Sequence, residues 1–184
     1  MVKVPFSVWP TRFMMTAFLC GFSASQLIAQ TDVDSASGRA RRQNAWLSAG
    51  LGATQLGAGE SISGWYSNNR LVLGVQGADG QEGVISTREI YAVSFQVGMR
   101  SMGRRGMAVI AVGPARVGGW HNEPGGSFFG HMVDDRPEVG AAASAEATIH
   151  AGWIGIGLGL FAAGAAHHSL TGATVCLQLG NLGE

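Results

Sequence analysis

The sequence predicts an all-β fold, an eight-stranded antiparallel up-and-down transmembrane β-barrel that follows an N-terminal signal peptide. Three observations predict it. Large apolar residues alternate with small or polar residues in eight segments, the connections between these segments alternate in length, and the chain opens with a short apolar leader. An alternation with a period of two is the pattern of a strand that has one apolar face.

Residues 1–29 have the layout of a secretory signal peptide. Lys3 and Arg12 precede an apolar run of ten residues, and small or uncharged residues continue to Ala29. The run is shorter than the roughly 20 residues that a helix needs to span a bilayer. We therefore expect cleavage after Ala29, with Ser25 as the alternative position.

The rest of the chain is expected to divide into a flexible mature N-terminus over residues 30–43 and an outer-membrane β-barrel domain over residues 44–184. Without the leader, ten arginines face twelve acidic residues, a formal charge of −2, and no lysine is left. Nucleic-acid binding needs a dense basic face, so we expect no nucleic-acid partner. Cys176 is the one cysteine after the leader, which excludes an intrachain disulfide.

The segment from Trp153 to Leu160 could belong to a membrane helix or to a strand. Its isoleucines and leucines occupy even positions and its glycines occupy odd positions. A helix would spread the four large residues around its circumference, and each interior glycine would cost roughly 1 kcal/mol relative to alanine. The spacing of Gly155 and Gly159 also occurs in packed membrane helices. The uncharged run over 151–166 is short for a helical span, so we predict a strand.

The same period recurs along the chain and predicts eight strands. They are expected over residues 44–54, 60–66, 70–78, 88–100, 106–117, 138–150, 152–163 and 170–180. Most of them reach the ~9 to 11 residues that a tilted membrane strand needs. Pro114 predicts a bulge or an end of pairing in the fifth strand.

The connections between the predicted strands alternate in length. Those after the second, fourth and sixth strands are short, whereas the others run over residues 55–59, 79–87, 118–137 and 164–169. Membrane barrels alternate short periplasmic turns with longer outside loops, starting from a periplasmic N-terminus. The pattern therefore predicts that the long connections lie on the outer side.

With a last strand that reads "GATVCLQLGNL", the chain resembles the small eight-stranded outer-membrane β-barrel proteins of the OmpA and OmpX type, especially uncharacterised barrel proteins of Bacteroidota-like bacteria. The resemblance covers about residues 44–180 and is carried by Gly172, Val175 and Leu177. Members of the family usually end on an aromatic residue, whereas this chain ends "LGNLGE". The resemblance implies a bacterial outer-membrane location, with membrane lipid and the barrel-assembly machinery as partners.

The inward faces of the strands are predicted to hold a structural polar cluster. Its members are Glu146, Arg100, Arg116, Gln96 and Gln76. Side chains fill the interior of an eight-stranded barrel, so no open pore is expected. Burying Glu146 unpaired would be costly, and we expect it to face Arg100 or Arg116. A proton or ion relay is the alternative interpretation of this carboxylate.

Six aromatic residues lie near predicted strand ends, where interfacial aromatic side chains gather in membrane proteins. They are Trp46, Trp65, Tyr66, Tyr91, Trp120 and Trp153.

The long connection over residues 118–137 carries five candidate metal ligands. They are His121, Glu123, His131, Asp134 and Asp135. Their spacing matches no zinc or calcium pattern, so we expect a solvated loop and no metal or other cofactor. Phe128 and Phe129 could contact a surface partner or pack on the barrel rim.

His167 and Ser169 have the His-x-Ser spacing of outer-membrane lipid A deacylases, which are eight-stranded barrels that use serine, histidine and an acid. Glu184 is the only carboxylate that follows them in the sequence, and no asparagine–glycine pair follows the serine. We therefore expect a polar turn and no catalysis.

These observations predict a non-catalytic outer-membrane barrel protein with a structural or surface-interaction role through its extracellular loops, including a surface partner at residues 118–137. Two alternatives stay open. One is a periplasmic soluble β-barrel that binds a small apolar ligand, and the other is an outer-membrane lipid A deacylase-like hydrolase.

Overall fold

A computed structural model describes residues 43–82, 88–103, 105–122 and 132–181. The expected signal peptide and almost all of the expected flexible N-terminus lie outside the described residues. Within the described ranges, no helix has the length and hydropathy needed to cross a membrane.

The described chain forms one closed antiparallel barrel of eight strands, which confirms the predicted all-β barrel. Each strand pairs with the next along the chain, and β8 closes the sheet on β1. The strands are β1 (Gln43–Thr54), β2 (Gly57–Asn68), β3 (Leu71–Gln81), β4 (Arg88–Met102), β5 (Gly106–Asn122), β6 (Met132–Ala151), β7 (Ile154–Gly164) and β8 (Ser169–Gly180). The closing seam sets Trp46 opposite Gly180.

The connections alternate in length only in part as the sequence predicts. The first connection, predicted as a longer loop over residues 55–59, is a tight turn of Gln55 and Leu56, because β2 already begins at Gly57. At the end that holds the start of β1, the turns are short, and β2 and β3 are joined by Asn69 and Arg70 alone. Asn69 has a φ of 58°, a left-handed conformation that asparagine tolerates better than most residues. We call this end, with its turns, the inner rim, and the opposite end the outer rim.

The prediction of a loop over 118–137 is wrong for most of its length. β5 continues to Asn122 and β6 already begins at Met132, so both strands continue as a hairpin extension. β5 stays paired with β4 as far as Arg88 opposite His121, whereas β6 continues past its last pair with β7, Ala141 opposite Gly164. A register shift between Val117 and Gly119 introduces a β-bulge at the base of this extension. The extension lacks the alternation of large apolar residues with small or polar residues, so the period-two pattern ends before the strands do.

Pro114 interrupts the sheet without changing its register. On one side, Pro114 is paired with Ala141 of β6. On the other side, the pairing between β4 and β5 is interrupted at Phe95 and Gln96 and then resumes in the same register. Proline has no N–H to donate, which explains a gap on one side only. The bulge predicted near this residue lies instead a few residues further along β5.

The outside of the barrel carries an apolar belt. Every strand contributes large or small apolar side chains at alternate positions, and the largest of them are exposed. On β3 the last large apolar residue of the belt is Val75, and the second outward position after it is Asp79. On β4 the outward face changes from apolar to polar between Val93 and Tyr91. The exposed members include Leu71, Leu73, Val75, Val93, Phe95, Val97, Met99, Ile110, Val112, Ile149, Ile156, Leu158, Leu160, Val175 and Leu177.

The core of the protein is its lumen, which is filled in three layers. An apolar cluster lies towards the outer rim, around Ile90, Phe161 and Leu170. A second apolar cluster lies towards the inner rim and contains Trp46 and Trp65. Buried polar side chains occupy the space between them.

Two of the six aromatic residues predicted at the membrane interface are in the lumen instead. Trp46 and Trp65 are 2% and 3% exposed, and their rings stack with centroids 6.3 Å apart. Both residues have the inward parity of their strands, and Gly74 on β3 leaves the space that the Trp65 ring occupies. Position near a strand end therefore predicts the wrong environment when the parity points inward.

Candidate functional site

The centre of the lumen holds a glutamine–serine network that joins three strands. The Gln96 side-chain amide donates to Gln76 Oε1 at 2.9 Å and to Ser94 Oγ at 2.8 Å. The Ser144 hydroxyl of β6 donates to Gln96 Oε1 at 2.6 Å. Gln76 and Gln96 are both buried, as predicted, and their bonds satisfy groups that would be costly to bury alone.

Glu146 occupies the lumen as predicted, but its partners differ from the prediction. Its Oε1 accepts from the Ser63 hydroxyl at 3.1 Å and from the Trp65 indole at 3.4 Å, and its Oε2 accepts from the Gln178 amide at 2.7 Å. No arginine in the described residues forms an ion pair with this carboxylate. The expected pairing of Glu146 with Arg100 or Arg116 is therefore wrong.

Arg116 is not a lumen residue. It is exposed on β5 at an even position, whereas the buried neighbours Ala115 and Val117 occupy odd positions. The residue lies on the outward face, just beyond the apolar belt and near Tyr91. Burial raises the pKa of Tyr91, and the charge of Arg116 opposes this increase in part. The prediction that Arg116 belongs to the polar cluster of the lumen is therefore wrong, because even positions of β5 face outward.

Arg100 lies in the lumen, at the inner rim. The residue is 5% exposed, and its Nε donates to the Asn69 carbonyl of the β2–β3 turn at 2.6 Å. Its Nη1 is buried without a protein partner. Val109 of β5 is paired with Arg100 on one side and with Glu146 on the other. The Glu146 carboxylate nevertheless extends across the lumen to β2 and β8.

A small void remains beside the glutamine network. It has a volume of about 10 Å³ and is lined by Gln76, Ser94 and Phe161, among others. This volume is at the lower limit for a single water molecule, so this part of the lumen has no room for an organic ligand.

The outer rim holds a network of three histidines and two carboxylates that joins the β5–β6 hairpin to the β7–β8 turn. Asp135 contacts His121 Nδ1 and His168 Nε2, both at 3.3 Å. Glu138 binds the side chain and the backbone N–H of His167 and lies 3.6 Å from His168 Nδ1. The network therefore fixes the β7–β8 turn against β6.

The histidines shift the titration of both carboxylates. Hydrogen bonds from His167 hold the pKa of Glu138 below its usual range. Burial raises the pKa of Asp135, but hydrogen bonds from His168 and His121 outweigh burial and leave the pKa lowered. Both carboxylates therefore stay ionised at neutral pH and can accept hydrogen bonds from the imidazoles.

A row of carboxylates lies on the outward face just beyond the apolar belt. Glu60 on β2 is opposite Asp79 on β3, and the Glu60 N–H donates to Asp79 Oδ1 at 3.2 Å. Burial, reinforced by the charge of Glu60, raises the pKa of Asp79 from 3.8 to about 7. Burial also raises the pKa of Glu89 on β4, opposed by a 2.9 Å hydrogen bond from the Trp120 indole.

The predicted metal ligands are only partly assembled. His121 and Asp135 do meet, whereas Asp134 lies on the outward face, and Glu123 and His131 lie outside the described residues. Within the described ranges, no group of three or more histidine, cysteine and acidic side chains is arranged to hold a metal ion.

His167 and Ser169 do not form the nucleophile and base pair of a hydrolase in this structure. The Ser169 hydroxyl lies 3.4 Å from Gln55 Nε2, and no hydrogen bond in the described residues joins it to His167. The imidazole instead binds Glu138, a carboxylate that precedes it by 29 positions. The turn that the sequence predicts therefore also contacts β6, through the bond between His167 and Glu138.

The prediction from the sequence misses several features of the site. His168 was not singled out, although it contacts both carboxylates of the outer rim. Asp79 and Glu60 are 19 positions apart and become neighbours only through the β2–β3 register. The outward parity of both residues could have been noted, since carboxylates on the face that continues an apolar belt are unusual.

No family model matches the chain, and no curated protein matches it in sequence. Solved structures with a similar fold include two β-barrels. The N-terminal β-barrel domain of Pseudomonas aeruginosa OprF aligns with a TM-score of 0.58 and 8% identity, over 77% of this chain and 99% of that chain. Neisserial surface protein A aligns with a TM-score of 0.51 and 10% identity, over 80% and 99% respectively. These similarities show that the chain has the fold of the small eight-stranded antiparallel barrels.

Proposed function

We propose that this protein is an integral outer-membrane β-barrel without catalytic activity and without an open pore. The apolar belt carries the proposal. Residues such as Phe95, Ile156 and Leu158 are more than half exposed, and the outward positions within the belt are apolar on all eight strands. A closed barrel satisfies all its ladder groups internally, which is what a hydrocarbon environment requires.

The arrangement of polar and apolar residues argues against the soluble alternative. A periplasmic barrel that binds an apolar ligand would place polar side chains outside and an apolar cavity inside. This barrel has the reverse arrangement, with Gln96, Glu146 and Gln178 buried in the lumen and a void of only about 10 Å³ beside the network. Apolar clusters towards both rims support the absence of an open pore.

We propose that the outer rim is the interaction surface. The β5–β6 hairpin extends beyond the belt, and its side chains include Asp134, Arg136 and the partly exposed His121. The histidine and carboxylate network gives this surface a defined shape. Neisserial surface protein A is by its name a surface protein, and we extend that role to this chain as part of the proposal.

Export and assembly belong to the same proposal. The leader at residues 1–29 would direct the chain to the periplasm, and the barrel-assembly machinery would insert it. The sequence of β8 supports a relationship with the barrel proteins of Bacteroidota-like bacteria.

Heat-dependent gel migration tests the membrane proposal. Membrane barrels resist detergent at room temperature and migrate differently after boiling, so we expect two bands whose ratio depends on heating. The protein should also stay in a carbonate-washed membrane pellet. Recovery in the carbonate supernatant with a single band would contradict the proposal.

Epitope insertion tests the orientation. A tag inserted within residues 123–131 should bind antibody on intact cells. The same tag in the turn at 103–105 is the matched control, and it should bind only after the outer membrane has been permeabilised. Reversed accessibility would place the hairpin on the periplasmic side and overturn the surface role.

The hydrolase is retained as a second candidate because of one observation. Glu138 binds His167, and a carboxylate that orients a histidine two positions before a serine is two thirds of a catalytic triad. Release of acyl chains from lipid A by the purified protein, abolished by Ser169→Ala, would establish it. We expect no release, with wild type and variant indistinguishable from a protein-free control.

A further inference from the structure

The charged side chains are segregated along the barrel axis. All described carboxylates except Glu146 lie towards the outer rim. They are Glu60, Asp79, Glu82, Glu89, Asp134, Asp135 and Glu138. The described part of the inner rim carries arginines and no acid. The inner rim therefore has a positive charge that nothing described in its vicinity balances.

The arginines of the inner rim form one arc across the ends of β3 to β6. Arg100 N donates to the Arg70 carbonyl, and the Arg100 side chain binds the carbonyl of Asn69. The Arg105 carbonyl in turn accepts from the backbone N–H of His150. Arg70 and Arg105 have exposed side chains, whereas Arg100 is 5% exposed.

Two groups in this arc are buried without a partner. They are Arg100 Nη1 and His150 Nε2. A buried guanidinium is normally paired with an anion, because the loss of its hydration is otherwise uncompensated. Glu146 does not fill this role, since its carboxylate accepts from Ser63, Trp65 and Gln178 instead.

We propose that the arc of Arg70, Arg100, Arg105 and His150 is a binding site for a phosphate group. Guanidinium groups match phosphate oxygens in geometry and charge. The Nε bond to Asn69 holds the Arg100 guanidinium beside the inner turn, within reach of a group that enters from that end. The exposed Arg70 and Arg105 would complete the contact from the rim.

An anionic phospholipid headgroup is the source that fits the position. This step rests on the proposed function, because only a barrel in a membrane holds its inner rim at the level of headgroups. The described part of the inner rim carries arginines and no acid and attracts anionic lipid, whereas the acidic outer rim would repel it. Free phosphate shares the same chemistry and is the alternative source.

Calorimetric titration of the full-length protein, extracted in neutral detergent, tests the site with three probes. They are inorganic phosphate, dihexanoyl phosphatidylglycerol and dihexanoyl phosphatidylcholine. We expect phosphatidylglycerol to bind and phosphatidylcholine to bind at least about tenfold more weakly. Tighter binding of phosphatidylglycerol than of phosphate supports the lipid source, and the reverse order supports free phosphate. No binding of either anion overturns the proposal.

Variants locate the site. Arg70→Gln with Arg105→Gln should weaken anion binding about tenfold, and Arg100→Gln should weaken it further. The control is Arg88→Gln with Arg136→Gln, which removes two exposed arginines from the outer rim. Equal weakening by the control would overturn the proposal, because it would show unspecific attraction.

Heat-dependent gel migration of each variant checks its folding first. If Arg100→Gln does not fold, the test of the site rests on the double variant Arg70→Gln with Arg105→Gln. A wild-type barrel that migrates with heat dependence but binds no anion refutes the site and leaves the membrane proposal intact.

Discussion

Asp79→Asn should stabilise the protein at alkaline pH. In the folded barrel, burial and the nearby Glu60 raise the pKa of Asp79 to about 7, against 3.8 for the free group. Between pH 3.8 and about pH 7, Asp79 is therefore protonated in the folded state and ionised in the unfolded state. By linkage, stability falls as the pH rises from about 4 to about 7 and is constant above that range. Asparagine resembles the protonated side chain and removes this loss.

The magnitude follows from the shift. A displacement of about three pKa units corresponds to at most ~4 kcal/mol, at ~1.4 kcal/mol for each unit. Asp79 is only half-buried and faces the boundary of the belt, so solvent screening reduces the effect, and we expect about 1–2 kcal/mol. The Glu60 N–H can still donate to the amide oxygen of asparagine, so the variant keeps that hydrogen bond.

Urea unfolding of the barrel in detergent at pH 3 and pH 8.5 measures the effect. The variant should be more stable than wild type at pH 8.5 and equal to it at pH 3, where the carboxyl is protonated in both states. Glu82→Gln, at an exposed acid just beyond β3, is the control and should change neither value. An Asp79→Asn variant that is no more stable than wild type at pH 8.5 would refute the reasoning.

Three further substitutions test the packing, each by the midpoint of urea unfolding. Gly74→Ala would place a methyl group inside the Trp65 ring and should cost about 1–3 kcal/mol, whereas Gly64→Ala has ordinary contacts and should be within ~0.5 kcal/mol of wild type. Ile156→Arg places a charge in the middle of the belt and should cost about 2–4 kcal/mol in lipid; no cost in lipid would contradict the membrane placement. Glu146→Ala leaves the Ser63 hydroxyl and the Gln178 amide without their acceptor, whereas the Trp65 indole keeps its 2.8 Å bond to Ser63 Oγ; it should cost about 2–4 kcal/mol, and an equal cost for Glu146→Gln would show that the charge itself matters.

The period-two pattern is sufficient to predict the barrel because each strand presents an apolar face to the outside and a filled face to the lumen. In β7, Ile154 to Leu160 alternate between an exposed apolar residue and an inward glycine, as the sequence predicts. Where the strands leave the belt, as in the β5–β6 hairpin, apolar residues such as Trp120 and Val133 no longer alternate with polar ones, and the pattern carries no information about pairing.

The contacts of the site were harder to predict, since they depend on which side chains cross the lumen. The register places Glu146 and Arg100 on one rung, two strands apart, and an ion pair was a reasonable expectation. The carboxylate instead meets Ser63 and Gln178 on strands that the sequence alone does not place opposite it. Similarly, His168 and Asp135 are 33 positions apart and meet only because the β7–β8 turn lies against the β6 extension.

The seam between β1 and β8 affects how the protein folds. Trp46 is opposite Gly180, so the two strands that close the barrel come from opposite ends of the described chain. Contacts between such distant positions form slowly, because the entropy of bringing the ends together is lost before any bond is gained. β1 must therefore keep one edge unpaired until β8 arrives, and that edge is open to wrong partners for as long as the last strand is missing.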